Sequence, residues 1–310
     1  MSDLLSAGVL TVFIASIIVQ TMPLVIASVG ETIGEQSGVL NLGIEGVMLI
    51  GALAGYATAI WTDSAWLGML GGLLGGVVAN LLMLVLNTWL GLNQIVVGLA
   101  VTLIGEGLTS VLYLQAFSKS PQSIPPNSWK IPLLSEIPVI GPAIFRQSGI
   151  FWACILLLIM VAFLLSRTNW GLATRSAGQK PSSLDAAGGS VMVTRSQAVL
   201  LNGAFVGLGG AYLSILTTGT FTPFMTNGLG FLAIVITMLS RGKVGWIVLT
   251  SLLYGIAVAV KNPLQLIGVS IPADVFQMLP FVVVMITLIL FARSSVVPPA
   301  LGAPYTRGAR

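Results

Sequence analysis

Residues 65–87 read AWLGMLGGLLGGVVANLLMLVLN, a run with no Asp, Glu, Lys or Arg. A helix needs ~20 predominantly apolar residues to cross the hydrocarbon core of a bilayer, so this run predicts a membrane span. Outward from it, comparable runs occupy residues 4–29, 38–60, 92–116, 149–166, 196–218, 228–240, 244–261 and 275–292. The chain therefore predicts roughly nine spans, with about eight to ten admitted by the placement of span ends. The shortest, 228–240, runs into its neighbour through Arg241, Gly242 and Lys243. The expected fold is all-α: a polytopic transmembrane helical bundle forming a single membrane domain over residues 1–310.

Composition supports this. Of 310 residues, 56% are hydrophobic and 7% are charged, whereas a soluble domain carries about 25% charged residues. So few charged side chains cannot clothe a water-facing surface of this size, and much of it must face lipid. The net charge of +4 comes from no dense basic run, which argues against nucleic acid as a partner. His is absent, and the single Cys, Cys154, lies in an apolar run. A disulfide within the chain is excluded and a His/Cys metal site nearly so. There is no G-x-x-x-x-G-K-[ST], G-x-S-x-G or H-E-x-x-H run. Nucleotide hydrolysis and the corresponding hydrolase chemistries are not expected of this chain, and no cofactor is implied. No Lys or Arg precedes the first apolar run, which exceeds a signal-peptide core in length, so it is expected to remain as a membrane helix.

Orientation follows from the basic residues. With residues 167–195 in the cytoplasm and the spans alternated from there, the inside holds Arg167, Arg175, Lys180, Arg195, Arg241, Lys243, Arg293, Arg307 and Arg310. The outside holds Lys119, Lys130, Arg146 and Lys261. This bias predicts an outside N-terminus and a cytoplasmic C-terminus. Residues 117–148 carry Pro121, Pro125, Pro126, Pro132, Pro138 and Pro142, which predicts a stiff, non-helical external loop. All other connections apart from 167–195 are short, so any energy-converting domain must sit on another chain.

Glycines spaced by four recur at Gly68, Gly72 and Gly76, at Gly71 and Gly75, at Gly51 and Gly55, and at Gly203 and Gly207. Small residues at this spacing let helix backbones approach closely in lipid, either within the chain or at a subunit interface. Polar groups inside the spans are the other signal. An ionised carboxylate at a span centre costs about 2.5–3.5 kcal/mol on insertion scales, so Glu45 and Glu106 must face the bundle interior or water, or be protonated. Glu45 reads either as a structural carboxylate bonded to backbone N–H groups or as a solute contact. Asn41, Asn80, Asn93, Gln94, Asn202 and Gln265 add amides able to bond between helices or to a polar solute. Tyr56, Trp61, Trp66, Trp152, Trp170 and Trp246 lie near span ends, where interfacial anchoring accounts for most of them.

Residues 31–56 read ETIGEQSGVLNLGIEGVMLIGALAGY. This resembles the E-x-x-G-x-x-x-L-N-x-G-x-E-G-x-M-x-x-G-A pattern of ABC importer permeases of the simple-sugar and nucleoside branch, within the branched-chain amino acid/ribose permease superfamily. Three further stretches fit in order: GLNQIVVGLAVTLIGEGLTS (91–110), RTNWGLATRSAGQKPSSLDAAG (167–188) and PPALGAPYTR (298–307). The resemblance runs along nearly the whole chain. Two departures are Gly188-Gly189-Ser190, where the family has Gly-Ile-Asn/Asp, and the basic stretch Ser240-Arg241-Gly242-Lys243, near the family's F-G-x-W region.

What the resemblance implies is one non-catalytic permease of a type II ABC importer in a bacterial inner membrane. It would pair with a second homologous permease, a cytoplasmic ABC ATPase and a substrate-binding lipoprotein, and carry a nucleoside or another polar ring solute such as a simple sugar. A stand-alone secondary transporter or channel is the alternative. Within the cytoplasmic segment, proline is tolerated in a first helical turn, so Pro181 can open a short helix after Lys180. Ser182, Ser183 and Asp185 offer cap-type groups, and Gly188 and Gly189 end it. Such a helix is a rigid knob for an ATPase groove, and Gly178, Pro181, Asp185, Ala186, Ala187 and Gly188 are the expected coupling residues. Asn41, Glu45, Asn93 and Glu106 are the expected lining of the solute path.

Overall fold

The computed structural model describes residues 7–118, 122–125, 129–130, 132, 134–260, 273–291 and 297–305. Of the sequence expectations, Lys119, Pro121, Pro126, Lys261, Gln265, Arg293, Arg307 and Arg310 lie outside these residues. The described residues form helices α1 (Ala7–Ser37), α2 (Ile44–Thr62), α3 (Ala65–Met83), α4 (Gln94–Ala116), α5 (Ile140–Phe145) and α6 (Gly149–Arg167). There follow α7 (Asn169–Gln179), α8 (Pro181–Ala186), α9 (Val191–Tyr212), α10 (Leu229–Ser240), α11 (Val244–Ala259) and α12 (Ala273–Phe291). π-helical turns extend α3 to Trp89 and α9 to Thr217. No strand occurs among the described residues.

Each apolar run read from the sequence contains a helix among the described residues. By length and composition six can cross a membrane, while Leu229–Ser240, Val244–Ala259 and Met278–Ile289 are shorter apolar helices. At 1.5 Å per residue, α10 reaches only about 18 Å, short of a bilayer core of ~30 Å.

The centre of the bundle is α9, which packs on α1, α2 and α3. Glycine makes these contacts possible. A Cβ on Gly51 would fall on the backbone of Gly207, and one on Gly76 would fall on the carbonyl of Gly203. Gly68 and Gly72 face Gly55, Gly51 and Ala211, and Gly71 and Gly75 face Thr58 and Ala54 of α2. The four-residue glycine spacing thus serves packing inside this chain, where close backbone approach stands in for the hydrophobic drive that lipid cannot supply. α4 joins through Gly105, whose Cβ position is taken by Gly46 of α2.

Four expectations change. The first span does not end near residue 29: α1 continues to Ser37 and carries Glu31 and Glu35 inside the bundle. Residues 38–43 are not helical. Gly38 takes a φ of 89°, Val39 N–H bonds to Gly34 O at 3.0 Å, and the chain folds back until Asn41 N–H meets Glu31 Oε1 at 3.3 Å. Consequently α2 starts inside the bundle, and its first turn is enclosed by protein, with Gly230 of α10 against Glu45 and Thr102 of α4 against Gly46. Irregular backbone in a membrane protein is tolerated where protein surrounds it in this way. The 117–148 connection is not wholly non-helical, because residues 140–145 form α5, with Pro142 in its first turn where a missing N–H costs nothing. Tyr56 is not an interfacial anchor. It is fully buried against Phe117 and Phe221 and donates its hydroxyl to Gln122 O at 2.7 Å. Trp61, Trp66 and Trp246, by contrast, are exposed.

Candidate functional site

Residues 167–195 are largely helical. The short helix expected at Pro181 is present as α8, with Pro181 in its first turn and Lys180 at its N-cap, but no side-chain cap bond forms there. Its end is as expected: Gly188 takes a φ of 84°, and its N–H bonds to Asp185 O at 3.0 Å. A left-handed residue at this point is usually glycine because a Cβ is penalised there. Leu184 is buried with Ala177 and Val191 and anchors α8. Ser182, Ser183, Ala186, Ala187 and Gly188 are exposed on its outer side, and Asp185 is half-buried. The result is a small knob with short side chains, rooted by one leucine.

The knob is tied to the bundle. α7, which carries it, presses Gly178 against Gln36 O at the end of α1, leaving no room for a side chain. Gly178 O accepts from Ala300 N at 2.9 Å, and Gly302 N donates to Gly38 O at 3.0 Å. Arg195 of α9 is buried at the centre of this junction. Its guanidinium donates to Ser37 O at 3.1 Å, Ala303 O at 2.8 Å and Ala177 O at 3.3 Å. One side chain thereby joins α1, α7, α9 and the 297–305 segment. Beside the junction a cavity of about 350 Å³ is lined by Glu35, Gln36, Arg175, Gln179 and Arg241. Glu35 Oε2 and Gln36 Oε1 are buried there with no hydrogen-bond partner among the described residues.

The polar groups inside the bundle fall into two sets. In the first, Asn202 Oδ1 accepts from Asn41 Nδ2 at 2.7 Å and from Asn80 Nδ2 at 2.9 Å, while Asn202 Nδ2 donates to Glu31 Oε2 at 2.7 Å. Asn80 also donates to Val199 O at 2.8 Å, and Asn41 Oδ1 accepts from Gly43 N at 2.9 Å. All four side chains are buried, and together they cross-link α1, the 38–43 connection, α3 and α9. Glu45 belongs to the same enclosed interior. Its Oε1 accepts from Thr226 Oγ1 at 2.6 Å and Gly228 N at 2.8 Å, and its Oε2 accepts from Gly230 N at 2.7 Å. A carboxylate in the first turn of α2 therefore also pairs the otherwise unbonded amides at the start of α10, where the helix dipole favours negative charge.

The second set lies on α4. Asn93 is exposed and caps the helix, accepting from Ile95 N at 2.9 Å. Glu106, midway along α4, is half-buried. Its main-chain carbonyl accepts from Ser110 Oγ at 2.7 Å, but its carboxylate has no partner among the described residues. The structure therefore brings Asn41 and Glu45 into the closed interior and leaves Asn93 and Glu106 on α4. Glu31 and Arg195 also have a part in this arrangement, although the sequence singles out neither beyond the topological role of Arg195. The available signal was a charged residue inside or at the head of an apolar helix, but the partners that give each its role lie more than 150 residues away in the chain for Arg195–Ser37 and Glu31–Asn202.

The family model described as "Branched-chain amino acid transport system / permease component" matches residues 13–288. A nucleoside ABC transporter permease protein of Lactococcus lactis subsp. cremoris is 32% identical over 312 residues, covering 96% of this chain and 98% of that protein. A guanosine ABC transporter permease protein of Bacillus subtilis is 27% identical over 320 residues, covering 97% and 98%. A putative glucose ABC transporter permease protein of Haloferax volcanii is 32% identical over 250 residues, covering 80% and 76%. No solved structure matches the chain. With a family model spanning most of its length and a buried helical core of apolar spans, this chain belongs to the permease-component family of the branched-chain amino acid transport system and is a multi-pass membrane permease.

Proposed function

We propose that this permease forms one half of the pore of an ATP-driven ABC importer whose solute is a nucleoside or a related polar ring compound such as a simple sugar. The observation that carries the reading is the likeness, over nearly the whole chain, to permeases named for nucleosides and guanosine. In this reading ATP hydrolysis resides on a separate cytoplasmic ABC ATPase. A second homologous permease completes the pore, and a lipoprotein delivers the solute. The setting is a bacterial inner membrane with the N-terminus outside, the 117–148 loop external, and the 167–195 segment and C-terminus cytoplasmic. The placing of Arg175, Arg195 and Arg241 around one end of the bundle supports that orientation.

The coupling element in this proposal is α8, with Gly178, Pro181, Asp185, Ala186, Ala187 and Gly188 at or behind its contact surface. A knob moves a membrane bundle only if it is stiffly attached. Leu184, Gly178 and Arg195 supply that attachment to α1 and α9, so displacement of α8 would be passed on as rigid-body motion rather than lost in a loop. The solute path in this proposal runs along the α4 side that bears Glu106, with Asn93 at one end. Lipid would not host that carboxylate cheaply, so a partner subunit or water is its expected surrounding. Asn41 and Glu45 act behind the path, shaping α2 and α10.

The test is co-expression with genomic partners in lipid nanodiscs and assay of solute-stimulated ATP hydrolysis across nucleosides, pentoses and riboflavin-like compounds. Stimulation by one class identifies both the importer and its solute class. Failure to assemble with any ATPase, with gradient-driven uptake by this chain alone, would replace the proposal with a secondary transporter. Bulky residues in place of Ala186 and Ala187 are expected to abolish uptake while membrane insertion is normal; unchanged uptake would remove α8 from the coupling role.

A further inference from the structure

A second cavity, of about 330 Å³, opens between α10, α11 and α12 and shares Arg241 with the cavity beside the Arg195 junction. Its walls include Leu239, Trp246, Leu249 and Leu253, and it is bordered by Arg241 and Lys243. Both cations belong to the turn joining α10 to α11. Positive charge therefore sits at one end of the cavity, and apolar wall extends away from it along the helices.

That turn is held in place. Arg241 and Gly242 take φ values of 50° and 69°, Lys243 N bonds to Ser240 O at 2.9 Å, and Gln36 Nε2 donates to Gly242 O at 2.8 Å. The wall hydroxyls are already committed: Ser240 Oγ donates to Ile236 O at 2.6 Å and Thr250 Oγ1 to Trp246 O at 2.8 Å. The donors left to a ligand are the guanidinium, the ammonium and the Trp246 indole N–H. Among the described residues neither cation is paired with a carboxylate, although Arg241 also borders the Glu35 cavity. Trp246 is half exposed, as suits an indole at the boundary between headgroups and acyl chains.

A ligand matching this arrangement has a compact anion at one end and an apolar chain at the other. Free phosphate would satisfy the cations but leave the leucine wall uncovered. A zwitterionic lipid would bring its own cation towards Arg241 and Lys243. We propose that the cavity is a site for one anionic phospholipid, its phosphate held by Arg241 and Lys243 and one acyl chain lying along Leu249 and Leu253. Basic clefts between membrane helices at the cytoplasmic side recognise headgroups by this chemistry. The site is independent of the solute and of any ATPase.

Native mass spectrometry of the full-length chain in detergent tests it, with phosphatidylglycerol, phosphatidylcholine of the same acyl chains, and inorganic phosphate offered separately. One equivalent of phosphatidylglycerol is expected to be retained preferentially. Each charge removed is expected to weaken retention about fivefold, so the R241Q/K243Q pair lowers it by roughly 25-fold. R241K/K243R should retain the lipid, and L253W should weaken it with both cations intact. Those two variants keep the test decisive if the neutral pair misfolds. Equal retention of both lipids, displacement of lipid by inorganic phosphate, or unchanged retention in the neutral pair and L253W would overturn the site.

Discussion

Glu45 and Glu106 are both carboxylates carried on apolar helices, and they live in opposite circumstances. Glu45 is enclosed, with both oxygens engaged by Thr226, Gly228 and Gly230. Glu106 is half-buried on α4, and its carboxylate has no partner within the described chain. The first has the arrangement of a structural group: each bond it makes positions a neighbouring element. The second has the arrangement of a group awaiting something outside the chain. A charge inside an apolar run is therefore uninformative until its partners are known.

Substitution separates the two carboxylates, with stability read from unfolding in mixed micelles on titration with sodium dodecyl sulfate. Glu45→Ala is expected to have the largest effect, about 4 kcal/mol of destabilisation, because it strands a buried and a part-buried backbone N–H and a buried hydroxyl at once. An effect under about 1 kcal/mol would mean that water or lipid headgroups reach those donors. Arg195→Gln should follow at about 3 kcal/mol, since four carbonyls lose a charged donor. Its distinguishing sign is protease cleavage within residues 180–190, which would stay intact if α8 were held without Arg195. Asn202→Ala should cost about 2 kcal/mol by opening the Glu31–Asn41–Asn80 network. Glu106→Gln is expected to change stability least, by less than about 0.5 kcal/mol, as at a side chain with no structural partner. A cost comparable to that of Glu45→Ala would make the two carboxylates alike.

Much of the fold is legible from composition and run length alone, because the bilayer imposes so strict a demand on apolar helices. The bounds of α8 are legible too, since Pro181 and Gly188 act locally through their own backbone preferences. The fold-back at residues 38–43 is not. Val39, Leu40 and Leu42 read as helical apolar residues, yet the conformation is set by Gly38 and by the bond from Asn41 to Glu31. Likewise α1, read as a span, stops before its acidic pair, yet it continues because Asn202 and Asn41 receive Glu31 inside the bundle. Glu45 admits two roles from the sequence, which offers no means of seeing that Gly228 and Gly230 lie beside it. Pairings of this kind are long-range, and periodicity carries no record of them.

The most direct measurement is thiol labelling in the assembled transporter with Cys154 replaced by Ala. Glu106→Cys and Ile104→Cys variants would be treated with a membrane-impermeant, water-soluble maleimide from each side in turn. Position 106 is expected to react from at least one side, and more slowly when the transported solute is present, while position 104, on the outward face of α4, stays unreactive. Equal reactivity at both positions, or none at position 106 in any state, would contradict the assignment of Glu106 to a solute path.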